Sequence, residues 1–158
     1  MKNLVVLFFI FFYSIQTQAQ GDHSIYIELG GAALSYSLNY DMRFEKKDAS
    51  FGARIGVGRM DDIILIPLHL NYLHGAGKHR LELGLGVTTL LGNQPDTDRK
   101  GIYPIASGTL MYRYQNTAEH LIFRVGFSPT FVPSTPDSFI DISKLLWVWP
   151  GISAGYIL

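Results

Sequence analysis

Residues 80–91 read RLELGLGVTTLL and alternate between two kinds of side chain. One set is apolar or β-branched and consists of Leu81, Leu83, Leu85, Val87, Thr89 and Leu91. The other set is charged, polar or small and consists of Arg80, Glu82, Gly84, Gly86 and Thr88. Successive side chains of a β-strand point to opposite faces, so this period of two predicts a strand with one apolar and one polar face.

The same alternation recurs along the chain between clusters of turn residues, which predicts an all-β fold. We place eight strands at residues 24–31, 34–45, 51–59, 64–73, 80–91, 103–114, 120–131 and 147–158. Strands of about 9–11 residues cross the apolar layer of a bilayer when they are tilted. The pattern therefore predicts an eight-stranded antiparallel up-and-down transmembrane β-barrel.

The connections between these strands differ in length at the two ends of the predicted barrel. Short polar turns at 46–50, 74–79 and 115–119 lie at one end. Long loops at 92–102 and 132–146 lie at the other end, together with short connections near 31–33 and 60–63. Short periplasmic turns and longer outer loops are typical of outer-membrane barrels, so we expect both chain termini at the periplasmic end.

Volume and charge decide which face points inward. An eight-stranded barrel has an interior just wide enough for side chains to fill, and the many large apolar side chains would overfill it. An arginine that faced lipid near the midplane would cost about 2–4 kcal/mol, whereas arginines and carboxylates inside can form a hydrogen-bonded plug. We therefore predict a structural polar network in the lumen, formed by Glu28, Asp41, Arg43, Arg54, His69, Asn71, Arg80, Glu82, Arg113 and Arg124.

Aromatic residues cluster near the predicted strand ends. They are Phe44, Phe51, Tyr72, Tyr112 and Tyr114 towards one interface, and Phe131 and Trp147 towards the other. Two such girdles mark the membrane interfaces of transmembrane barrels. The general preference of aromatic residues for strands gives a similar pattern, so both interpretations stay open at this point.

The first twenty residues have the features of an export signal. Lys2 precedes the apolar run 4–13, and Thr17 and Ala19 provide small residues at a cleavage site. We predict a cleaved signal peptide at 1–20 and one barrel domain at 21–158. The chain contains no cysteine, and its 13 basic and 13 acidic residues give no electrostatic argument for a nucleic-acid partner.

The last strand carries a family resemblance. Its end, PGISAGYIL at 150–158, alternates apolar positions up to the terminal Leu158, although outer-membrane barrels usually end in an aromatic residue. The stretches LSYSLNY at 34–40, ELGLGV at 82–87, YRYQ at 112–115 and FRVGFSP at 123–129 extend the similarity. The chain resembles the small outer-membrane β-barrel proteins of Gram-negative bacteria, and its architecture is similar to the OmpA and OmpX barrels.

This resemblance implies a location and no reaction. It implies an outer-membrane protein that is inserted by the barrel-assembly machinery and contacts outer-membrane lipid. We expect a monomer with a plugged lumen and neither cofactor nor bound metal, acting as a non-enzymatic structural or adhesive envelope protein whose outer loops have an unknown ligand. A lipid-modifying outer-membrane enzyme and a soluble lipocalin-like ligand binder remain as alternatives.

The histidines are the residues that most invite a chemical role. His69 lies in the middle of a strand, where we expect a hydrogen-bonding partner in the lumen and no catalytic base. His23, His74, His79 and His120 all fall at the predicted turn end. A metal site needs several convergent ligands, and the strand order brings only His74 and His79 near each other, so we predict solvated residues there.

Overall fold

The computed structural model describes residues 22–94, 97–131 and 148–158, and these form one closed antiparallel β-barrel. Its strands are β1 (His23–Gly30), β2 (Tyr36–Arg43), β3 (Ser50–Met60), β4 (Ile63–His74), β5 (His79–Gln94), β6 (Thr97–Asn116), β7 (Leu121–Phe131) and β8 (Val148–Ile157). Each strand pairs with its neighbours in chain order, and β8 pairs with β1 to close the wall. The predicted all-β, eight-stranded up-and-down barrel is confirmed.

The alternation along each strand sorts its side chains between the two sides of the wall. In β5, Leu83 and Leu85 are exposed while Glu82 and Thr88 are buried. The register aligns side chains of one kind across neighbouring strands, as where Leu85 lies opposite Leu70 of β4. The exterior of the described barrel is therefore mainly apolar, and the buried charged side chains lie in the lumen, whereas Arg59 of β3 is exposed.

The two ends of the barrel differ. The turn end carries the connections β2–β3, β4–β5 and β6–β7, and the loop end carries the connections β1–β2, β3–β4 and β5–β6. The prediction of a loop at 92–102 is wrong for most of its length. Strand β5 continues to Gln94 and β6 begins at Thr97, because the ladder continues through the pairs Gly92–Gly101 and Asn93–Lys100. The predicted signal peptide 1–20, the loop 132–146 and Trp147 lie outside the described residues.

The β1–β2 connection also differs from the prediction. Gly31–Ala33 form a 3₁₀ turn, here called the plug turn, which folds into the lumen at the loop end and is buried there. Gly30 and Gly31 have positive φ values of 70° and 64°, a backbone conformation that glycine adopts without steric cost. Leu34 follows at a φ of 63° and is buried, so it is neither in a strand nor on the outer face.

The lumen is not polar along its whole length. Leu65, Leu90 and Ile105 pack together inside the barrel towards the loop end, with Ile63 and Tyr103 against them. Charged side chains fill the half nearer the turn end. Within the described residues, no helix is long and apolar enough to cross a bilayer.

Candidate functional site

Glu82 lies at the centre of the buried charges. Arg124 of β7 donates to it twice, from Nη2 to Oε1 at 2.7 Å and from Nε to Oε2 at 3.1 Å. Arg113 of β6 donates from Nη1 to Oε2 at 3.2 Å. Because both oxygens of this carboxylate accept from guanidinium groups on two following strands, Glu82 ties β5, β6 and β7 together from the inside.

Glu28 is the second buried carboxylate of the network. Its Oε2 accepts from Arg124 Nη1 at 2.9 Å, Arg54 Nη1 at 3.1 Å and Ser153 Oγ at 3.1 Å. Its other oxygen, Oε1, accepts from the backbone N–H of Ala32 in the plug turn at 3.3 Å. Glu28 therefore links the ionic network to the turn that covers it.

Asp41 is the third. It accepts from Arg113 Nη1 at 2.7 Å, Arg43 Nη2 at 2.5 Å and Asn71 Nδ2 at 3.0 Å. Asn71 also donates to Glu82 at 3.3 Å and accepts a short hydrogen bond from Arg43. The amide thus connects two carboxylates that repel each other.

The charges inside the barrel do not balance among the described residues. Four buried arginines, Arg43, Arg54, Arg113 and Arg124, face the three buried carboxylates Glu28, Asp41 and Glu82. On Arg43 and Arg54, two guanidinium nitrogens each lack a hydrogen-bond partner among the described residues. Burial of charges costs free energy that only close pairing offsets, so the network is stable only while its partners stay in place.

The structure brings nine of the ten predicted network residues into the lumen. Arg80 is the exception, because its side chain lies at the turn-end rim with 12% of its surface exposed. It donates to the Gly77 carbonyl at 3.1 Å and to the Asp48 carboxylate at 3.3 Å. The alternation correctly places Arg80 on the inner face of its strand. It does not reveal how far a residue lies from the end of the barrel.

Sequence reasoning overlooked Tyr26 and Gln115. Tyr26 is buried, and its ring centre lies 4.4 Å from the guanidinium carbon of Arg124, a cation–π contact. Gln115 accepts from Arg113 Nε at 3.1 Å and donates to Asp22 at 3.0 Å. The alternation places Tyr26 on the inner face, so strand parity alone was a sufficient signal for it. Gln115 was assigned to the predicted turn 115–119, whereas in the structure β6 continues to Asn116 and includes it.

His69 is hydrogen-bonded to Ser107, with 3.0 Å between His69 Nε2 and Ser107 Oγ. A serine beside an imidazole is two parts of a hydrolytic site, which also needs a third group to orient the imidazole. His69 Nδ1 has no hydrogen-bond partner in the described part of the chain. Both side chains are at most 2% exposed, so a substrate cannot reach this serine in the closed barrel.

The histidines at the turn end lie beside tyrosine rings. The Tyr40 hydroxyl and His23 Nδ1 are 2.7 Å apart, and His79 Nδ1 is hydrogen-bonded to the Tyr112 hydroxyl. His120 Nδ1 donates to the Ile157 carbonyl at 2.8 Å and stacks on Tyr156, and the rings of His74 and Tyr72 are 6.3 Å apart. In residues 22–94, 97–131 and 148–158, no group of three or more His, Asp or Glu residues could hold a metal ion.

Aromatic rings of the predicted girdle meet at the turn end. Phe51 and Tyr72 have ring centres 4.9 Å apart, and Tyr114 lies 6.4 Å from Phe123, which the prediction did not include. Phe44 and Tyr112 are exposed on the same end of the wall, and Phe131 is exposed at the loop end. The aromatic side chains therefore form a denser group at the turn end of the described barrel.

Taken together, these contacts occupy the interior of the described barrel. The ionic network, the apolar cluster and the plug turn fill successive levels of the interior, and the exterior carries the exposed apolar surface. Comparison with protein-family models, with curated proteins and with solved structures finds no match to this chain.

Proposed function

We propose that this chain is a membrane-spanning β-barrel of the outer membrane, with a closed lumen and a non-enzymatic structural or adhesive role in the envelope. One observation carries the proposal: the polarity of the barrel is inverted relative to a water-soluble protein. Leu85 on the outer wall is 73% exposed, whereas Glu28, Asp41 and Arg124 are buried.

The exposed apolar surface extends around the whole wall. Every strand contributes to it, with side chains that include Ile27, Leu38, Ile55, Leu68, Leu85, Leu110, Val125 and Ile152. Soluble monomers rarely expose apolar patches larger than a few hundred Å². In hydrocarbon the same surface carries no such penalty, and a closed barrel satisfies its backbone hydrogen bonds internally.

Strand length and the aromatic residues support the same environment. Strands β3, β4 and β7 have 11, 12 and 11 residues, which matches the length that a tilted strand needs to span a bilayer. The aromatic group at the turn end suits a membrane interface, where rings with polar edges are enriched. The turn end then faces the periplasm.

The alternative of a soluble lipocalin-like binder requires an apolar calyx and a polar outer surface, which is the reverse of the described barrel. The alternative of a lipid-modifying enzyme requires a reactive group that lipid can reach. Ser107 and His69 are the best candidates among the described residues, and they are enclosed. We therefore favour the non-enzymatic role.

The proposed partners follow from the proposed location. Outer-membrane lipid covers the wall, the barrel-assembly machinery inserts the chain, and the barrel is a monomer. With 13 basic and 13 acidic residues, the chain has no charge excess that would attract nucleic acid.

Spin labels test the membrane assignment cleanly because the chain has no native cysteine. A nitroxide on Leu85→Cys is expected to collide with dissolved oxygen and to avoid a water-soluble nickel chelate in reconstituted vesicles. The matched control, Ala76→Cys in the exposed β4–β5 turn, is expected to collide with the nickel chelate. Free access of the chelate to the Leu85 label would contradict the proposal.

The non-enzymatic role needs a separate measurement. After incubation with the protein, outer-membrane lipids are expected to keep their masses in mass spectrometry. A new lipid product that requires the folded protein would instead establish the enzymatic alternative.

A further inference from the structure

The apolar exterior contains a groove on one side of the barrel. Its volume is about 610 Å³, and it is lined mainly by Leu83, Leu85, Gly108, Leu110, Pro129 and Phe131. This volume falls within the range of binding sites for small ligands, roughly 300–1,000 Å³. A smooth barrel wall has no such concavity, so the groove requires a local cause.

That cause is Gly108 together with Pro129. Gly108 occupies an outward register position opposite Leu85, where a side chain would otherwise project from the wall. A Cβ atom added there would lie 3.2 Å from Pro129 Cγ and 3.7 Å from Leu85 Cδ2. The β6–β7 ladder pairs Ser107 with Thr130 and Leu110 with Phe127, and leaves Gly108 and Thr109 unpaired with β7 between them.

The groove is elongated and runs across neighbouring strands from β3 to β7. Its lining begins at Phe51 and Tyr72 near the turn end, crosses β5 and β6, and ends at Pro129 and Phe131 of β7. Five neighbouring strands at a spacing of about 4.8 Å give it an extent of roughly 19 Å across the strands, and at a strand tilt of about 40° this corresponds to a rise of roughly 12 Å along the barrel axis. The hydrocarbon of one leaflet is about 15 Å thick, so this rise lies within the depth that a single acyl chain covers.

We propose that this groove binds one acyl chain of a phospholipid, with the phosphate at the turn end. The inference rests on the proposed membrane location. Among the described residues the lining carries no charged side chain, and the groove is continuous with the exposed apolar wall, so its occupant comes from hydrocarbon.

Charge near the turn end indicates where the phosphate lies. The β2–β3 turn immediately precedes Phe51 and contains Lys46, which is exposed. Its neighbours are already paired, Lys47 with Glu45 at 2.6 Å and Asp48 with Arg80 at 3.3 Å. Lys46 is left as the cation of this turn without an ion-pair partner among the described residues, and a phosphate is its complement.

Photo-crosslinking tests the site. The full chain is reconstituted in vesicles that contain an anionic phospholipid with a diazirine in its acyl chain, and crosslinked peptides are mapped by mass spectrometry. We expect crosslinks to concentrate on Leu83, Leu110 and Phe131, relative to Ile27 on the opposite wall. A Gly108→Leu substitution fills the groove and is expected to reduce that excess about fourfold for each methylene displaced from the site.

Three further variants separate the contributions of bulk, charge and groove shape to lipid binding. Ala154→Leu introduces the same side chain on the outer face of β8, away from the groove, and is expected to leave the crosslinks at Leu110 unchanged. Lys46→Gln is expected to lower the yield for the anionic lipid about fivefold while a zwitterionic lipid is little affected. Leu110→Phe narrows the groove without touching Gly108, which keeps the test valid if Gly108→Leu fails to fold.

Each outcome bears on one proposal. Equal crosslinking around the wall, with lipid contact retained at Ile27, would overturn the groove and leave the membrane assignment intact. Chain-to-chain crosslinks at Leu110 would assign the groove to a second copy and overturn the lipid. Absence of lipid crosslinks at both Ile27 and Leu110 would count against the membrane location itself.

Discussion

Glu82 is buried and accepts from two guanidinium groups and from Asn71, so its charge depends on these neighbours. A buried ion pair is a poor guide to net stability, because the cost of desolvation approaches the gain from pairing. Removal of a single partner is a different matter, since the remaining charges keep their desolvation cost and lose their compensation.

Glu82→Gln is therefore expected to lower the free energy of unfolding by about 3–5 kcal/mol, because Arg113 and Arg124 lose a shared anion. Urea unfolding in lipid vesicles or detergent micelles measures this change. The matched control is Glu45→Gln, which breaks the exposed pair with Lys47 and is expected to change stability by less than about 1 kcal/mol. Equal effects of the two substitutions would show that the interior charges are solvated.

Ser107 provides a second prediction at this scale. A fluorophosphonate probe, which labels activated serines, is not expected to label the folded protein, because Ser107 is enclosed and His69 lacks an orienting carboxylate among the described residues. Mass spectrometry of the probe-treated barrel, with a serine hydrolase in the same vesicles as the control for probe reactivity, checks this. Stoichiometric labelling of Ser107 in the folded barrel would reopen the enzymatic alternative.

At the scale of elements, the strands were predictable because each strand faces the lumen on one side and the outer surface on the other, which imposes a period of two on its sequence. The plug turn was not, since Gly30–Ala33 carry almost no side-chain pattern and their position is fixed by distant partners. Thr88 Oγ1 donates to the Ala32 carbonyl at 2.7 Å, and Glu28 accepts from the Ala32 N–H. The extension of β5 to Gln94 was hidden for a similar reason, because ladder pairing overrides residues that favour turns.

The candidate lumen network illustrates the same limit. Strand parity placed the charged residues on one face, and the structure brings most of them within hydrogen-bonding distance. Depth along the strand and the choice of partner depend on the shear of the closed barrel, which no local pattern encodes. Arg80 consequently lies at the rim rather than in the network.

The plug turn itself predicts a change in chemical access. Ala33→Cys is expected to react slowly with a water-soluble maleimide, because Ala33 is completely buried, whereas Ala76→Cys in the exposed turn reacts quickly. Adding Gly31→Val to Ala33→Cys places a β-branched residue at a φ of 64°, where its Cβ also meets Glu28 Oε1. Strain of about 1–3 kcal/mol is expected to favour a displaced turn and to speed the reaction roughly 5- to 150-fold.

The reaction rates with maleimide distinguish two arrangements of this connection. If the cysteine at 33 reacts as fast as the cysteine at 76 without the Gly31→Val substitution, the turn lies outside the lumen. Retention of slow labelling in the double variant would mean that packing against the wall outweighs the backbone strain.

At the scale of the whole molecule, a single layer of β-sheet separates the lumen from the outer surface. Each strand alternates between inward and outward residues, with polar, charged or small side chains common inside and apolar side chains predominant outside, so a shift of register by one residue would exchange the two sets. Closure of the wall through the β1–β8 ladder fixes that choice for all eight strands together. Because outward side chains contact the surrounding medium, that medium determines the free-energy cost of placing a charge on the outer wall.

This dependence on the medium yields the most direct test of the membrane assignment by stability. Leu85→Arg places a cation near the middle of the outer wall and is expected to cost about 2–4 kcal/mol in lipid vesicles. Leu81→Arg lies on the same face of the same strand but closer to the turn end, where the expected cost is about 0–1 kcal/mol. In a barrel surrounded by water, both substitutions would replace an exposed apolar residue and change stability by less than about 0.5 kcal/mol. A free-energy cost that depends on position along β5 thus requires a medium that changes from polar to apolar along the wall. Two equally mild effects would exclude such a medium and contradict the membrane assignment.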